Sequence, residues 1–282
     1  MSARWIVGVD GSDASVDALR WAVAHAPARG AEVTAVSAFH VPAVMSLMTA
    51  KRGFGVDELG LEATAGHDLD VAIAAVGRDV AISPVVVEGQ ASHVLVDAAA
   101  DGDALVVGQR GSGDHRQRWL GSVSRYCATH CARPVVVVPP GWTSDPASRI
   151  VVGFDGSDHA GAALRWALDF ARAETTVRVV AAMEVAPWLG ERATRERFPD
   201  EVAEHERALT EAIDAIDGER RTERALLLDA PRQALADAAR SADLLVVGTR
   251  GRGLIATEFL GSVSTSLLQD AVIPTVVVPD RG

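Results

Sequence analysis

Two loops with the same glycine spacing carry the residue types of this chain that are best suited to binding an anion. They read Gly108-x2-Gly111-x9-Gly121-Ser122-Val123-Ser124 and, 140 residues later, Gly248-x2-Gly251-x9-Gly261-Ser262-Val263-Ser264. Glycine lets the backbone approach a ligand closely, and the amides at the start of a helix attract negative charge. Since each loop follows a strand-like apolar run and precedes an apolar stretch with helical spacing, the pattern predicts two phosphate-binding loops.

Arginines accompany both loops, although the chain as a whole is acidic, with a net charge of -11. They are Arg110, Arg116, Arg118 and Arg125 around the first loop, and Arg250 and Arg252 around the second. Local positive charge in an acidic protein favours an anionic ligand. An ordinary solvated face would contain the same residues, so both interpretations stay open.

The loops belong to a tandem repeat that covers the whole chain. The segment 4–13, which holds Asp10 at the end of a strand, returns as 149–158 with Asp155 in the same place. Each copy has the size of one domain. We therefore predict domains over residues 1–140 and 149–282, joined by a linker over 141–148.

Strands alternate with helices in each copy, which predicts an α/β fold of two tandem Rossmann-like domains. Each domain is expected to hold a five-stranded parallel sheet of order 3-2-1-4-5 with helices on both faces. The strands of the first copy are predicted to end at Asp10 and to cover 32–39, 80–88, 103–107 and 135–138, with helices over 12–25, 57–76, 92–100 and from Ser122. Pro84 suits an edge strand because it lacks an N–H group. The middle helix of the second copy is expected over 199–216.

Ligands of such sheets bind beyond the carboxyl ends of the strands, at the switch point between strands one and four. This rule places Asp10 beside the Gly108 loop and Asp155 beside the Gly248 loop. A carboxylate suits ribose hydroxyls, whereas amides and hydroxyls suit phosphate oxygens. The two repeated features therefore converge on one crevice in each domain.

Composition narrows the class of protein. The negative charge argues against nonspecific binding to nucleic acid or to an anionic membrane. No apolar run approaches the ~20 residues that span a bilayer, and the N-terminus lacks the pattern of a secretion signal. We expect a cytoplasmic protein.

The strand-end aspartate and the motif G-x2-G-x9-G-[S/T] after strand four resemble the universal stress protein family, in its tandem two-domain form. The resemblance covers essentially the whole chain, twice. It implies a nucleotide site in each half, with ATP, and Mg2+ with its phosphates, as the ligand. Asp10 and Asp155 would meet the ribose and the adenine end, Gly8 and Gly153 would leave room beside the base, and Ala38 and Ala182 would line the adenine pocket. The glycine loops and the helix starts would hold the ribose and phosphates.

The complete set of expected nucleotide-binding residues falls into two equivalent halves. The first half is Gly8, Asp10, Ala38, Gly108, Gln109, Arg110, Gly111, Ser112, Gly113, Gly121, Ser122, Val123 and Ser124. The second half is Gly153, Asp155, Ala182, Gly248, Thr249, Arg250, Gly251, Arg252, Gly253, Gly261, Ser262, Val263 and Ser264. No catalytic residue and no metal ligand is assigned.

Each assignment has a structural alternative. The aspartates can cap the first helices or shape Asp-Gly turns, Ser122 and Ser262 can be N-caps, and the glycines can serve βα packing. Cys127 and Cys131, spaced i,i+4 beside His130, suggest a metal or redox site, but the spacing is unusual for zinc. The second copy has Leu267 and Ala271 there, which favours two small core residues.

The motifs of an enzyme are not evident. The chain has no Walker lysine and no nucleophile elbow, and Asp114 and His115 of the first loop correspond to Leu254 and Ile255 in the second. The sequence therefore favours an ATP-binding sensor or regulator in stress response or growth control. The alternatives are a scaffold that binds no nucleotide and a weak ATPase or phosphotransferase.

Partners are predicted only in outline. The valine-rich final strands, 135–138 and 275–278, would end each sheet at an edge that invites pairing. The resemblance implies that the two halves of one chain pair through these strands, and two chains can associate further as a homodimer. Protein partners that read the nucleotide-bound state are expected but not identifiable.

Overall fold

The fold is taken from a computed structural model that describes residues 3–41, 60–77, 81–111, 120–142, 147–185, 190–217, 222–251 and 260–280. The chain divides into two units, Met1–Asp145 and Pro146–Gly282. Both units are α/β structures in which every pairing of neighbouring strands described below is parallel.

The first unit alternates strands with helices. Its elements are β1 (Ala3–Gly8), α1 (Asp13–His25), a 3-10 turn (Pro27–Arg29), β2 (Ala31–Phe39), α2 (Leu61–Val76), β3 (Ile82–Glu88), α3 (Ala91–Ala100), β4 (Ala104–Gly108), α4 (Ser122–His130) and β5 (Val135–Val138). The strand order is β3-β2-β1-β4-β5, as the repeat pattern predicts. The part of the predicted middle helix before Gly60 lies outside the described residues.

The second unit repeats this order with one addition. Its elements are β6 (Arg149–Gly153), α5 (Asp158–Phe170), β7 (Thr176–Ala182), α6 (Glu191–Arg197), α7 (Pro199–Asp217), β8 (Glu223–Leu227), α8 (Pro231–Ala239), β9 (Leu244–Gly248), α9 (Ser262–Gln269) and β10 (Thr275–Val278). Its strands run in the order β8-β7-β6-β9-β10, which is the order of the first unit when each strand is matched with its equivalent.

Helices cover both faces of each sheet. In the first unit α1 packs with α2 and α3 packs with α4, and in the second α5 packs with α7 and α8 packs with α9. Strands β4 and β9 are buried along their whole length, as the near-continuous apolar runs of a two-sided parallel sheet require. Strand β3 lies at the edge of its sheet, where Pro84 pairs with Ala35, so the interpretation of Pro84 is confirmed.

Helix α1 shows why the first βα turn forms where it does. Ser12 is its N-cap, and the Ser12 hydroxyl accepts a hydrogen bond from the amide of Ser15 at 3.2 Å. Trp21 is 1% exposed and stacks on Trp5 with ring centroids 5.5 Å apart. Trp21 therefore packs in the core. Within the described ranges, no helix is long and apolar enough to cross a membrane.

Helix α6 is absent from the sequence prediction. The segment Glu191–Arg197 contains no branched apolar residue, so it has no hydrophobic period to detect. Ion pairs hold it instead: Arg195 bonds to Glu191 at 3.1 Å within the helix and to Glu206 of α7 at 2.9 Å. Exposed ion pairs of this kind each contribute little to stability, and both of these pairs use the same arginine.

The two cysteines lie in the core of the first unit. Cys127 is 0% exposed and Cys131 is 5% exposed, and both are free thiols. Burial, with a smaller contribution from the neighbouring Cys131, raises the pKa of the Cys127 thiol to about 12. Among the described residues, no group of three metal-ligating side chains is found. The interpretation as core residues therefore accounts for the cysteine pair.

An aspartate before the fourth strand of each unit holds the start of the first strand. Among the described residues, Asp103 accepts a hydrogen bond from the amide of Arg4 at 2.8 Å. Asp243 accepts three, from the amides of Ser148 and Arg149 and from the Ser148 hydroxyl, at 2.7–2.9 Å. Partial burial alone would raise the pKa of Asp243, but these hydrogen bonds outweigh it and hold the pKa below its ordinary value.

Replacing Asp243 should destabilise β6 in a pH-dependent manner. A carboxylate whose pKa is lowered by folding stabilises the fold above its unfolded pKa, and this stability is lost as the pH falls through the folded pKa. We expect Asp243→Ala to cost about 1 kcal/mol at neutral pH, measured as protection of β6 amides from hydrogen exchange, and progressively less below about pH 4. The matched variant Asp103→Ala should cost less in β1. An equal cost of Asp243→Ala at all pH values would contradict this assignment.

Cys127 should resist alkylation in the folded protein. Because the thiolate is the nucleophile, a buried thiol with a pKa of about 12 is almost entirely protonated at pH 8. We expect iodoacetamide to modify Cys127 at that pH at least about a hundredfold more slowly in the native protein than in urea, measured by peptide mass spectrometry. Equal rates in both conditions would show that the thiol is accessible and that the core placement is wrong.

Candidate functional site

The carboxyl ends of the first and fourth strands lie side by side in each unit. In the first unit β1 pairs with β4 at Val7 and Val106, and in the second β6 pairs with β9 at Val152 and Val246. The turn after the first strand and the glycine loop after the fourth therefore leave the sheet at the same edge. This edge is the switch point at which ligands of open parallel sheets bind.

Asp10 and Asp155 use one carboxylate oxygen to shape the turn. Oδ1 of Asp10 accepts from the amide and the hydroxyl of Ser12 at 3.1 and 2.5 Å, and Asp155 does the same with Ser157 at 3.0 and 2.6 Å. Gly11, with φ of +77°, takes the left-handed conformation that this turn needs. The turn-shaping alternative is therefore correct, whereas the helix cap is the serine.

The other oxygen of each aspartate faces the glycine loop. A Cβ atom added to Gly111 would lie 2.5 Å from Oδ2 of Asp10. A Cβ added to Gly251 would meet Oδ2 of Asp155 in the same way. Both side chains are exposed at the mouth of the crevice. The structure thus brings the two strongest sequence features into contact in both units.

Four of the expected glycines have packing reasons. A Cβ on Gly108 would lie 2.7 Å from the carbonyl oxygen of Ala14, and a Cβ on Gly248 would lie 2.8 Å from the carbonyl carbon of His159. Each glycine therefore lets the first helix of its unit reach the fourth strand. At Gly8 and Gly153, an added Cβ would lie 2.7 and 3.0 Å from side-chain carbons of Leu95 and Leu235.

The helix after each loop begins with uncapped amides. The N-caps are Gly121 and Gly261, and neither helix start has a side-chain cap. Ser122 and Ser262 are the first helical residues, so the alternative that they are N-caps is wrong. The amides of residues 122–124 and 262–264 have no carbonyl four residues earlier within their helix, so they are available to an anion.

Ser124 and Ser264 differ from expectation in the use of their hydroxyls. Both side chains are buried, and each hydroxyl donates to the carbonyl oxygen of the glycine that ends the preceding strand, at 2.6 Å to Gly108 and 2.8 Å to Gly248. Two helical residues that are two positions apart are separated by about 160° around the helix axis, so the two serine side chains of each helix start point in largely opposite directions. The second serine therefore joins helix to strand, and only its amide is at the helix start.

A cavity of about 740 Å³ opens at this edge of the second unit. It is lined by the predicted residues Gly153, Asp155, Ala182, Gly248, Arg250, Gly251, Gly261, Ser262, Val263 and Ser264. It is also lined by Phe154, Ala160, Val180, Pro231, Leu235, Val247 and Leu260, which the sequence prediction does not contain. Its size is that of a small-molecule site, with an apolar wall and a polar rim.

The unpredicted lining residues come mainly from strand ends and from the start of α8. Pro231 and Leu235 are one helical turn apart and face the same side, but they are far in sequence from the glycine loop. Only the packing of α8 on β6 and β7 brings them to the site. In the sequence, the i,i+4 spacing of these two residues is the one signal that could have identified them as lining residues.

The remaining expected residues lie around the same edge. Ala38 and Ala182 are half-buried on the second strand of each unit, two residues beyond the partners of Gly8 and Gly153. Arg250 is exposed on the cavity rim, whereas Arg110 is half-buried. The residues that lie outside the described ranges are Ser112, Gly113, Asp114, His115, Arg116, Arg118, Arg252, Gly253, Leu254 and Ile255.

Gln109 and Thr249 directly follow the first glycine of their loops. Their side chains differ in exposure and in the contacts that they make. Gln109 is 2% exposed, and Thr249, which is not among the lining residues of the cavity, bonds to His159 through its hydroxyl at 2.8 Å. Their carbonyl oxygens accept hydrogen bonds from the amides of Gly121 and Gly261, at 2.9 and 2.8 Å. Through these hydrogen bonds the two residues fix the conformation of their loops.

Comparison with known proteins agrees with this arrangement. The family model described as "Universal stress protein family" matches residues 1–139 and 146–279. A universal stress protein of Mycobacterium tuberculosis is 31% identical over 289 residues, covering 96% of this chain and 95% of the relative. A universal stress protein of Mycolicibacterium smegmatis is 30% identical over 311 residues, covering 98% and 97%.

Solved structures show the same fold over the whole chain. The crystal structure of a universal stress protein from Archaeoglobus fulgidus is similar with a TM-score of 0.69 and 18% identity, and the match covers 100% of both chains. At this identity the similarity concerns the fold alone. The two family matches along the chain and the relatives of equal length establish that this chain belongs to the universal stress protein family and carries two of its domains in tandem.

Proposed function

We propose that each unit binds ATP at the carboxyl edge of its sheet, and that the nucleotide-bound state regulates the protein in stress response or growth control. The observation that carries this proposal is the cavity of the second unit. Its lining combines apolar side chains with a carboxylate, the uncapped amides of a helix start and an arginine. A nucleotide likewise combines an apolar base with polar ribose and phosphates.

The fit of the apolar side rests on strand and helix residues. Phe154, Val180, Ala182 and Leu235 form a wall without charged groups, which suits the faces of a purine ring. Asp155, at the mouth, suits the ribose hydroxyls because a carboxylate accepts two hydrogen bonds from adjacent hydroxyls.

The fit of the polar side rests on the loop and the helix start. The amides of residues 262–264 and the guanidinium of Arg250 lie at the same cavity, and both groups favour phosphate. Mg2+ would be held mainly by the phosphates and by water, as is usual for this ion, because no acidic cluster is found among the described residues.

The first unit repeats these groups. Asp10 faces Gly111, and α4 begins with the same uncapped amides after Gly121. We infer a second site of the same kind there. A nucleotide-dependent regulator would act in the cytoplasm, where ATP is available, and would transmit its state to partner proteins.

Native mass spectrometry of the purified protein tests the stoichiometry directly. We expect a mass increment of two ATP molecules per chain, released on denaturation and identifiable as the intact nucleotide. One ATP would mark the two sites as unequal. No bound nucleotide, together with no binding on titration, would favour the alternative of a scaffold and would overturn the proposal.

Substitution of the glycine that faces each aspartate should remove the corresponding site. Because a Cβ at Gly111 or Gly251 collides with the carboxylate, Gly111→Leu and Gly251→Leu should each weaken one ATP site roughly tenfold to a hundredfold, and the double variant should lose both. Isothermal titration calorimetry measures the affinity and the number of sites.

The matched control is Gly190→Leu. Gly190 is exposed, has a φ of -46°, and has no atom of the described residues within 4 Å of an added Cβ, so the substitution should leave both sites intact. Circular dichroism checks that all variants stay folded. Unchanged affinity in the double variant would contradict the proposed site.

A further inference from the structure

The helix residue that lies against the first glycine of the loop differs between the two units. Gly108 comes close to Ala14 in α1, and Gly248 comes close to His159 in α5, with the added Cβ 3.0 Å and 2.7 Å from the Cβ atoms of these residues. Ala14 and His159 therefore occupy the same place in their units. The loop residues that follow the two glycines are Gln109 and Thr249.

His159 joins three segments of the second unit. Its Nδ1 atom lies 2.8 Å from the hydroxyl oxygen of Thr249 and accepts a hydrogen bond from the amide of Asp280 at 3.1 Å. Since a backbone amide can only donate, Nδ1 is the acceptor and the ring proton is on Nε2, so the single lone pair of Nδ1 is shared between the Asp280 amide and the Thr249 hydroxyl. The imidazole thus connects α5, the loop after β9 and the segment after β10.

Ala14 has no polar side-chain atom, so the helix residue of the first unit cannot make the connection that His159 makes in the second. The loop residue of the first unit is Gln109, which is 2% exposed, whereas His159 and Thr249 are both half-buried. The two units therefore have different side chains at this place.

The connection lies one residue from the nucleotide-binding groups. Thr249 precedes Arg250 and Gly251, which line the cavity, and its carbonyl oxygen accepts the amide of Gly261, the N-cap of α9. His159 and Thr249 do not line the cavity themselves. Their influence on a ligand must therefore pass through the position of the loop and of the helix start.

We propose that His159 is a positioning residue of the second site, holding the Gly248 loop through Thr249 and Asp280. The nucleotide part of this inference rests on the proposed function. The positioning part concerns the loop and is measurable without nucleotide.

The experiment uses the full chain with Gly111→Leu, so that titration calorimetry reports the second site alone. In this background, His159→Ala should weaken ATP binding about fivefold to tenfold, because two hydrogen bonds to the loop and to Asp280 are lost. His159→Asn should bind within about twofold of the parent, since its side-chain oxygen can accept the same hydrogen bonds.

Hydrogen exchange at the amides of Asp280 and Gly261 gives a second readout without ATP. Protection at both amides should fall in His159→Ala and persist in His159→Asn. If ATP binds the parent and His159→Ala changes neither affinity nor exchange, the inference is overturned. It is also overturned if His159→Asn behaves as His159→Ala does. If no variant binds ATP while the exchange pattern holds, the proposed function fails and the positioning of the loop by His159 is supported.

Discussion

The close approach of the first helix to the end of the fourth strand is the constraint on which both sites depend. It exists because glycine stands at 108 and 248, where any Cβ would overlap the helix backbone. With helix and strand this close, the turn after the first strand and the loop after the fourth leave the sheet together. The aspartate of the turn then faces the middle glycine of the loop, and the next helix begins with its amides at the same edge.

Much of this arrangement was predictable from the sequence, because parallel strands and right-handed crossovers leave few alternatives. The strand order and the meeting of Asp10 with the Gly108 loop follow from that rule, and the edge position of Pro84 follows from its missing N–H group. Prediction failed where no periodic signal exists. Helix α6 has no apolar period along its sequence, and Leu235 reaches the cavity only through the packing of its helix on the sheet.

The assignment of roles to individual residues was harder to predict than their location. A motif glycine looks the same in sequence whether it faces a ligand, a carboxylate or a helix backbone, and only the coordinates separate Gly111 from Gly108. The two serines of each helix start differ for a geometric reason, since one is exposed and the other is turned into the core. Repetition of a motif thus supports a site without showing which atoms serve it.

The hydrogen bonds of His159 also affect how the two halves can diverge. A change of His159 to alanine would leave the Thr249 hydroxyl and the Asp280 amide without this acceptor, whereas Ala14, at the equivalent position of the first unit, makes no such hydrogen bonds through its side chain. Equivalent positions of the two copies therefore tolerate different substitutions, although their strands and helices follow the same order.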